Sequence, residues 1–155
     1  MLDQLDELYR DVILDHFKNS SHVGELPEAQ IKADGANPLC GDELSVHLLV
    51  EGGRVAKARF KARGCAISQA AASMLTLQVE GKTPADIRRL TDAMKNLMQG
   101  QDLDPSVELG DLEALAGVRK FPVRVKCAAL SWNVLEQGLK NYEAHSSERG
   151  TDGHH

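Results

Sequence analysis

Residues 42–69 read DELSVHLLVEGGRVAKARFKARGCAISQ, and the alternation within them indicates two strands followed by the start of a helix. Apolar side chains occupy every second position over 44–50. After Gly52 and Gly53, small or apolar residues alternate with basic ones over 56–63. Alternation of this kind is typical of a strand with one buried face. The segment therefore predicts a β-hairpin whose second strand leads into an alanine-rich helix.

The register of this hairpin is set by the side chains that must share a face. A four-residue loop over 51–54 would place the apolar face of one strand opposite the basic face of the other. A three-residue loop, either 51–53 or 52–54, pairs apolar with apolar side chains instead. With the loop over 52–54, Val46 lies opposite Phe60.

Both three-residue loops bring two cysteines together at the open end of the hairpin. Cys65 falls opposite Leu39 or Gly41, one position from Cys40 in either case. Side chains at opposed or diagonal positions of an antiparallel pair are close enough to share one ion. Asp42 lies beside them, so the hairpin predicts a cluster of two sulfurs and one carboxylate.

The remaining chain adds further elements around the hairpin. Residues 30–33 indicate a short third strand, and a short helix over 111–117 would be capped by Asp111. Periodic apolar residues predict helices over about 3–17, 67–80 and 84–98, and a long helix that begins at Pro122 and carries Cys127. We therefore expect an α+β fold in which a small antiparallel sheet, of about three strands, packs against several helices.

The length of the chain suits a single domain. Residues 1–145 are expected to form that domain, and the polar residues 146–155 are expected to form a disordered tail. The basic row of the second hairpin strand, Lys57, Arg59, Lys61 and Arg63, is most simply a solvated face, with docking of a partner as the alternative.

Composition excludes several classes of function. The 155 residues include 18 Lys and Arg against 23 Asp and Glu, which gives a formal net charge of −5. Neither this charge nor the aromatic content of 4% fits a nucleic-acid-binding surface. The acidic N-terminus lacks the features of a secretion signal, and no segment resembles a membrane span. We therefore expect a cytoplasmic protein that binds neither nucleic acid nor membrane.

The three cysteines favour thiol or metal chemistry, because an odd number cannot form a closed disulfide framework. Cys65 stands at a helix N-terminus, where the helix dipole favours a thiolate. Together with Cys40, Asp42 and Cys127 it supplies three sulfurs and one oxygen, a set that suits tetrahedral zinc and is tolerable to iron. No Cys-x-x-Cys pair is present, so structural thiols remain the alternative at this point.

Three motifs carry a resemblance to a known family. They are NPLCGD at 37–42, GCAISQAA at 64–71 followed by Ser73 and Met74, and RVKCA at 124–128 followed by LSW at 130–132. In this order they resemble the three cysteine motifs of the IscU/SufU/NifU-N family of iron–sulfur cluster assembly proteins. The similarity covers about residues 5–142, and it implies an IscU/SufU-like fold.

Within that family the chain looks most like the SufU branch. The segment between the second and third motifs is long, and Lys126 stands where IscU proteins carry histidine. The resemblance implies a zinc-dependent sulfur acceptor, or sulfurtransferase, that takes persulfide sulfur from a PLP-dependent, SufS-like cysteine desulfurase. The sulfur would then pass to a SufBCD-like cluster-building complex.

The resemblance also implies roles for individual residues. Cys40, Asp42, Cys65 and Cys127 would bind zinc, Cys40 would accept the sulfur, and Arg124 would support the site and its partner. Two alternatives stay open: a [2Fe-2S] assembly scaffold that uses the same ligands, and a purely structural zinc domain.

Overall fold

The computed structural model describes residues 7–38 and 41–151, with side chains up to residue 144. The helices and strands within these residues are, in chain order, α1 Glu7–Asn19, β1 Ile31–Asn37, β2 Asp42–Glu51, β3 Arg54–Arg63, α2 Ala66–Val79, α3 Pro84–Met98, a 3₁₀ helix Gly110–Lys120 and α4 Pro122–Thr151. The predicted α+β class is confirmed.

The sheet has the strand order β1-β2-β3, and both pairs are antiparallel. Val46 lies opposite Phe60, which is the alignment that the second of the two predicted loops requires. The predicted three-residue loop is wrong, because Gly52 and Gly53 form a two-residue turn with φ values of 60° and 77°, and Val50 pairs with Val55. A β-bulge next to this pair inserts one extra residue in β3 and restores the apolar register.

β1 is longer than predicted, and it packs closely against α4. A Cβ atom built on Gly35 would lie 2.5 Å from Val134 Cγ2, and one built on Gly138 would lie 2.9 Å from Ile31 Cγ2. The two glycines therefore let the strand and the helix approach more closely than larger residues would allow. This contact brings the end of β1 next to the first turns of α4.

The core lies between the inner face of the sheet and the helices α2 and α4, while α1 packs on α2 and the 3₁₀ helix. α4 contributes apolar side chains to this core, since Trp132 and Leu135 are buried and Leu139 is fully buried. Burial of apolar side chains such as these is the main source of stability in a small domain.

The outer edge of β3 is covered by backbone from two other segments. Phe60 donates to the His22 carbonyl at 2.9 Å and accepts from the Gly24 N–H at 2.9 Å. Near the other end of the strand, Val55 exchanges hydrogen bonds of 2.9 and 2.7 Å with Lys82 and Gly81. These contacts remove much of the open edge at which another strand would add.

Other boundaries differ in detail from the predictions. The described part of α1 covers Glu7–Asn19, and the predicted residues 3–6 lie outside the described residues. The segment after Leu109 is a 3₁₀ helix without a side-chain cap, so the predicted capping role of Asp111 is wrong; its carboxylate accepts a hydrogen bond from His16 Nε2 at 2.8 Å instead.

α4 continues past residue 145 to Thr151, and the division into a domain and a tail stays a prediction. Across the described part of the chain, none of the helices combines the length and the apolar character needed to cross a bilayer.

Candidate metal centre

Three of the four predicted ligands meet at one end of the sheet. Asp42 is the first residue of β2, Cys65 immediately precedes α2, and Cys127 lies in α4. Their ligand atoms all lie within 4.8 Å of one another. Asp42 and Cys127 are buried and Cys65 is half-buried. Cys40 lies outside the described residues, so its place in this set stays a prediction.

The side chain of Asp42 is held in place by the backbone of Cys65. Its Oδ1 accepts a hydrogen bond of 2.8 Å from the backbone N–H of Cys65. Its Oδ2 lies 4.0 Å from Cys65 Sγ. One oxygen therefore orients the carboxylate, while the other faces the Cys65 sulfur, on the side where a cation would bind both groups.

Gly64 makes this arrangement possible. Its φ is 123°, and a Cβ atom at this position would lie 2.8 Å from Asp42 Cα and would overlap the carboxylate. A residue with a side chain therefore cannot stand here without displacing Asp42. The glycine before the second cysteine is thus a requirement of the site geometry.

Cys65 occupies the N-cap position of α2 with an extended backbone, as the sequence predicts for a thiol at the strand–helix junction. Its side chain makes no capping hydrogen bond. Ser68, one turn into the helix, donates to the Cys65 carbonyl at 3.0 Å and places its Oγ 3.9 Å from Cys65 Sγ. The sulfur of Cys65 is therefore directed toward the cluster and does not cap the N-terminus of α2.

Cys127 Sγ has polar neighbours from two elements. The side-chain nitrogen of Asn37, at the end of β1, lies 3.9 Å from it, and Arg124 Nη1 lies 4.0 Å from it. The carbonyl of Val123, one turn earlier in α4, lies 3.7 Å away. A thiol can donate to that carbonyl, whereas a thiolate accepts from the amide and the guanidinium.

The donor set fits a soft or borderline divalent cation. Two sulfurs and one carboxylate oxygen converge in a place where Asp42 is only 1% exposed and Cys127 is 0% exposed. Ionised groups buried this close together need a cation between them or must be neutralised by protons. Zinc accepts sulfur and oxygen donors in tetrahedral sites, and iron accepts the same types.

Two residues of this site were not singled out as functional in the sequence. Asn37 and Gly64 both belong to the quoted motifs, yet neither carries an obvious chemical signal. The signal for Asn37 is positional, because it is a polar residue on the inward side of β1, in line with the buried Ile31 and Ala33. A predicted β1 that continued beyond residue 33 would have placed Asn37 on the buried face of the strand.

These features define a small α+β protein with a candidate Cys/Asp metal centre at the end of a three-stranded sheet. The family model for the NifU-like N terminal domain matches residues 8–149. The chain therefore belongs to the NifU-N family, which includes the IscU and SufU proteins.

Curated relatives and a solved structure agree with this assignment. The chain is 45% identical over 139 residues to the zinc-dependent sulfurtransferase SufU of Bacillus subtilis (strain 168), covering 90% of this chain and 94% of that protein. It is 38% identical to the iron–sulfur cluster assembly scaffold protein IscU of Streptococcus pyogenes serotype M1, covering 90% and 87%. The crystal structure of the N-terminal part of a nitrogen-fixing NifU-like protein from Brucella abortus superposes with a TM-score of 0.80 at 25% identity, covering 90% of this chain and 96% of that chain.

Proposed function

We propose that this chain is a zinc-dependent sulfur acceptor in iron–sulfur cluster assembly, supplied by a PLP-dependent, SufS-like cysteine desulfurase. The observation that carries the proposal is the convergence of Asp42, Cys65 and Cys127, whose ligand atoms lie within 4.8 Å of one another. The identity of 45% to a protein named for zinc-dependent sulfur transfer supports the choice of metal.

Asp42, Cys65 and Cys127 would hold the ion together with Cys40, which stands two residues before Asp42 in the sequence. Zinc keeps coordinated thiols deprotonated at neutral pH and does not itself undergo redox chemistry. The three ligands in the described residues belong to a strand end, a strand–helix junction and a helix. We therefore assign them the anchoring role.

Cys40 is the proposed acceptor because the sequence around it, with Pro38 and Gly41, predicts a loop, and residues in loops move more readily than residues in helices. In the transfer step, the Cys40 thiolate attacks the outer sulfur of the partner's cysteine persulfide. A new S–S bond forms at Cys40, the S–S bond in the partner breaks, and the partner's cysteine leaves as a thiolate. The sulfane sulfur changes carrier with no net oxidation or reduction, so no external oxidant is needed.

Arg124 is the proposed supporting residue at this site. Four anionic ligands around a divalent cation would leave a formal charge of −2, which a guanidinium 4.0 Å from Cys127 Sγ partly offsets. The Arg124 side chain is half-buried, whereas Lys126 is exposed. Of these two basic residues, Arg124 is therefore the one placed to stabilise the anionic ligands and to contact a partner that docks at the metal centre.

A second candidate function is a [2Fe-2S] assembly scaffold, and it is favoured by the IscU names among the relatives. Metal and sulfide analysis of protein purified without added iron separates the two. About one zinc per chain, without visible absorption, supports sulfur transfer. A coloured protein that contains iron and acid-labile sulfide supports the scaffold.

A purely structural zinc domain is tested by adding the desulfurase. This reading predicts that zinc removal unfolds the chain and that the holoprotein leaves desulfurase turnover unchanged. Sulfur transfer predicts faster turnover and a mass increase of one sulfur atom at Cys40 after the reaction. Passage of that sulfur to a SufBCD-like complex is measured separately, by mixing the persulfidated protein with the complex and following loss of the added mass.

A further inference from the structure

The far end of β1 contains a buried carboxamide where the strand pattern calls for an apolar side chain. Asn37 is 8% exposed and lies on the same face of the strand as Ile31 and Ala33, both of which are in the core. Burying a carboxamide is unfavourable unless its polar atoms are hydrogen-bonded. The position therefore needs a polar partner inside the protein.

That partner is the sulfur of Cys127. Asn37 Nδ2 lies 3.9 Å from Cys127 Sγ, across the contact between β1 and α4. In the sheet, Asn37 is also the register partner of Asp42. The same residue is therefore fixed beside one ligand by backbone pairing and directed at another ligand by its side chain.

We infer that Asn37 is a positioning residue for the metal centre, an inference that rests on the proposed function. Its side-chain amide donates an N–H···S hydrogen bond to the Cys127 thiolate. The amide is neutral and buried, so it stabilises the negative sulfur without depending on a mobile charged side chain. A sulfur that shares its lone pair with a donor is a weaker nucleophile and a fixed ligand. Asn37 thereby keeps Cys127 in the anchoring role and leaves sulfur acceptance to another cysteine.

The test replaces Asn37 by leucine, which has a similar shape and no donor. In cobalt-loaded protein, the Asn37→Leu change should move the sulfur-to-cobalt charge-transfer band to longer wavelength, because the lone pair of Cys127 is no longer stabilised. Zinc release to a chelator should become about 10- to 100-fold faster, the usual effect of losing a partner of a metal ligand. The matched control is Thr91→Val, since Thr91 is also a buried polar residue, lies in α3 and donates to the Arg88 carbonyl. It should change neither quantity.

Two outcomes overturn the inference. A folded Asn37→Leu protein with an unshifted band and zinc release within twofold of wild type shows that the amide only fills space. Equal changes in Asn37→Leu and Thr91→Val show a general loss of stability. Wild-type protein that binds neither metal overturns the proposed function itself, which distinguishes that failure from failure of the Asn37 role.

Discussion

Asp42 and Cys65 are joined by a hydrogen bond of 2.8 Å from the Cys65 backbone N–H to Asp42 Oδ1, which leaves Oδ2 4.0 Å from Cys65 Sγ. One carboxylate thus serves both as a backbone acceptor at the strand–helix junction and as a candidate metal ligand. The two roles use different oxygens, so substitutions can separate them.

Replacing Asp42 by asparagine keeps an oxygen that can accept the Cys65 N–H and removes the negative charge. We expect Asp42→Asn to fold with the stability of the wild-type apoprotein and to bind zinc much more weakly. Asp42→Ala loses the acceptor as well, and its apoprotein should be less stable than that of Asp42→Asn by about 1–2 kcal/mol. Urea unfolding of the apoproteins and zinc competition with a chelator measure the two effects. Equal zinc affinity in wild type and Asp42→Asn would rule out the carboxylate as a ligand.

Gly64 tests the geometry of the same junction. Gly64→Ala should cost about 2–5 kcal/mol of stability and abolish tight zinc binding, because the new methyl group would overlap Asp42. The matched control is Gly52→Ala in the hairpin turn, where φ is also positive at 60° but no atom lies within 4 Å of the added Cβ. This control should lose only about 1–2 kcal/mol and keep its zinc site. If both variants lose the same stability and both bind zinc, the Gly64 contact is unimportant.

The sequence predicted the hairpin well because register depends on which side chains share a face. Only one of the two allowed alignments puts Val46 opposite Phe60, and that alignment is observed. The turn could not be predicted in the same way, since the bulge in β3 compensates for a shorter loop and leaves the alternation unchanged beyond it.

The strand β1 was predicted to be too short, over residues 30–33, for a different reason. Asp34 and Gly35 are typical of a turn in local sequence, yet Gly35 is needed for the close contact with Val134 of α4. Such a requirement comes from packing between distant segments, which no local pattern contains. The same limit hid the Asn37–Cys127 contact, which joins residues 90 positions apart.

The lowered pKa of Glu80 predicts that the folded protein loses stability in acid. Burial raises the pKa of its carboxyl group, but hydrogen bonds from His22 and the Ala58 N–H and the nearby charges of His22 and Arg59 outweigh it, so the pKa lies below its ordinary value of 4.5. A carboxyl whose pKa is lowered in the folded state stabilises the fold above its unfolded pKa, and that contribution is lost as pH falls through the folded pKa.

We therefore expect Glu80→Gln to be less stable than wild type by about 1–2 kcal/mol near neutral pH. The difference should shrink as the pH is lowered below 4.5. Thermal or urea unfolding across this range provides the measurement. Glu25→Gln is the matched control, because Glu25 pairs with Lys61 on the exposed surface at 3.1 Å and should contribute little at any pH. A Glu80→Gln difference that does not vary with pH would contradict the account.

Substitution of Lys61 tests whether the basic face of β3 is only solvated or is a surface on which a partner docks. Two basic side chains of β3 pair with acidic residues of the same chain: Arg59 with Glu80 at 3.3 Å, and Lys61 with Glu25 at 3.1 Å. Charge reversal by Lys61→Glu should therefore change stability by less than about 0.5 kcal/mol and leave desulfurase binding unaltered. Isothermal titration with the desulfurase is the measurement. Binding at least tenfold weaker in a folded Lys61→Glu protein would instead identify this face as a docking surface.

We propose above that this chain accepts sulfur at Cys40 in a zinc-bound site. The most direct measurement is cysteine desulfurase turnover in the presence of wild-type protein and Cys40→Ala, each prepared with and without zinc. We expect stimulation by zinc-loaded wild type alone, with one added sulfur at Cys40 by mass spectrometry. Stimulation that survives the Cys40→Ala change would contradict the claim.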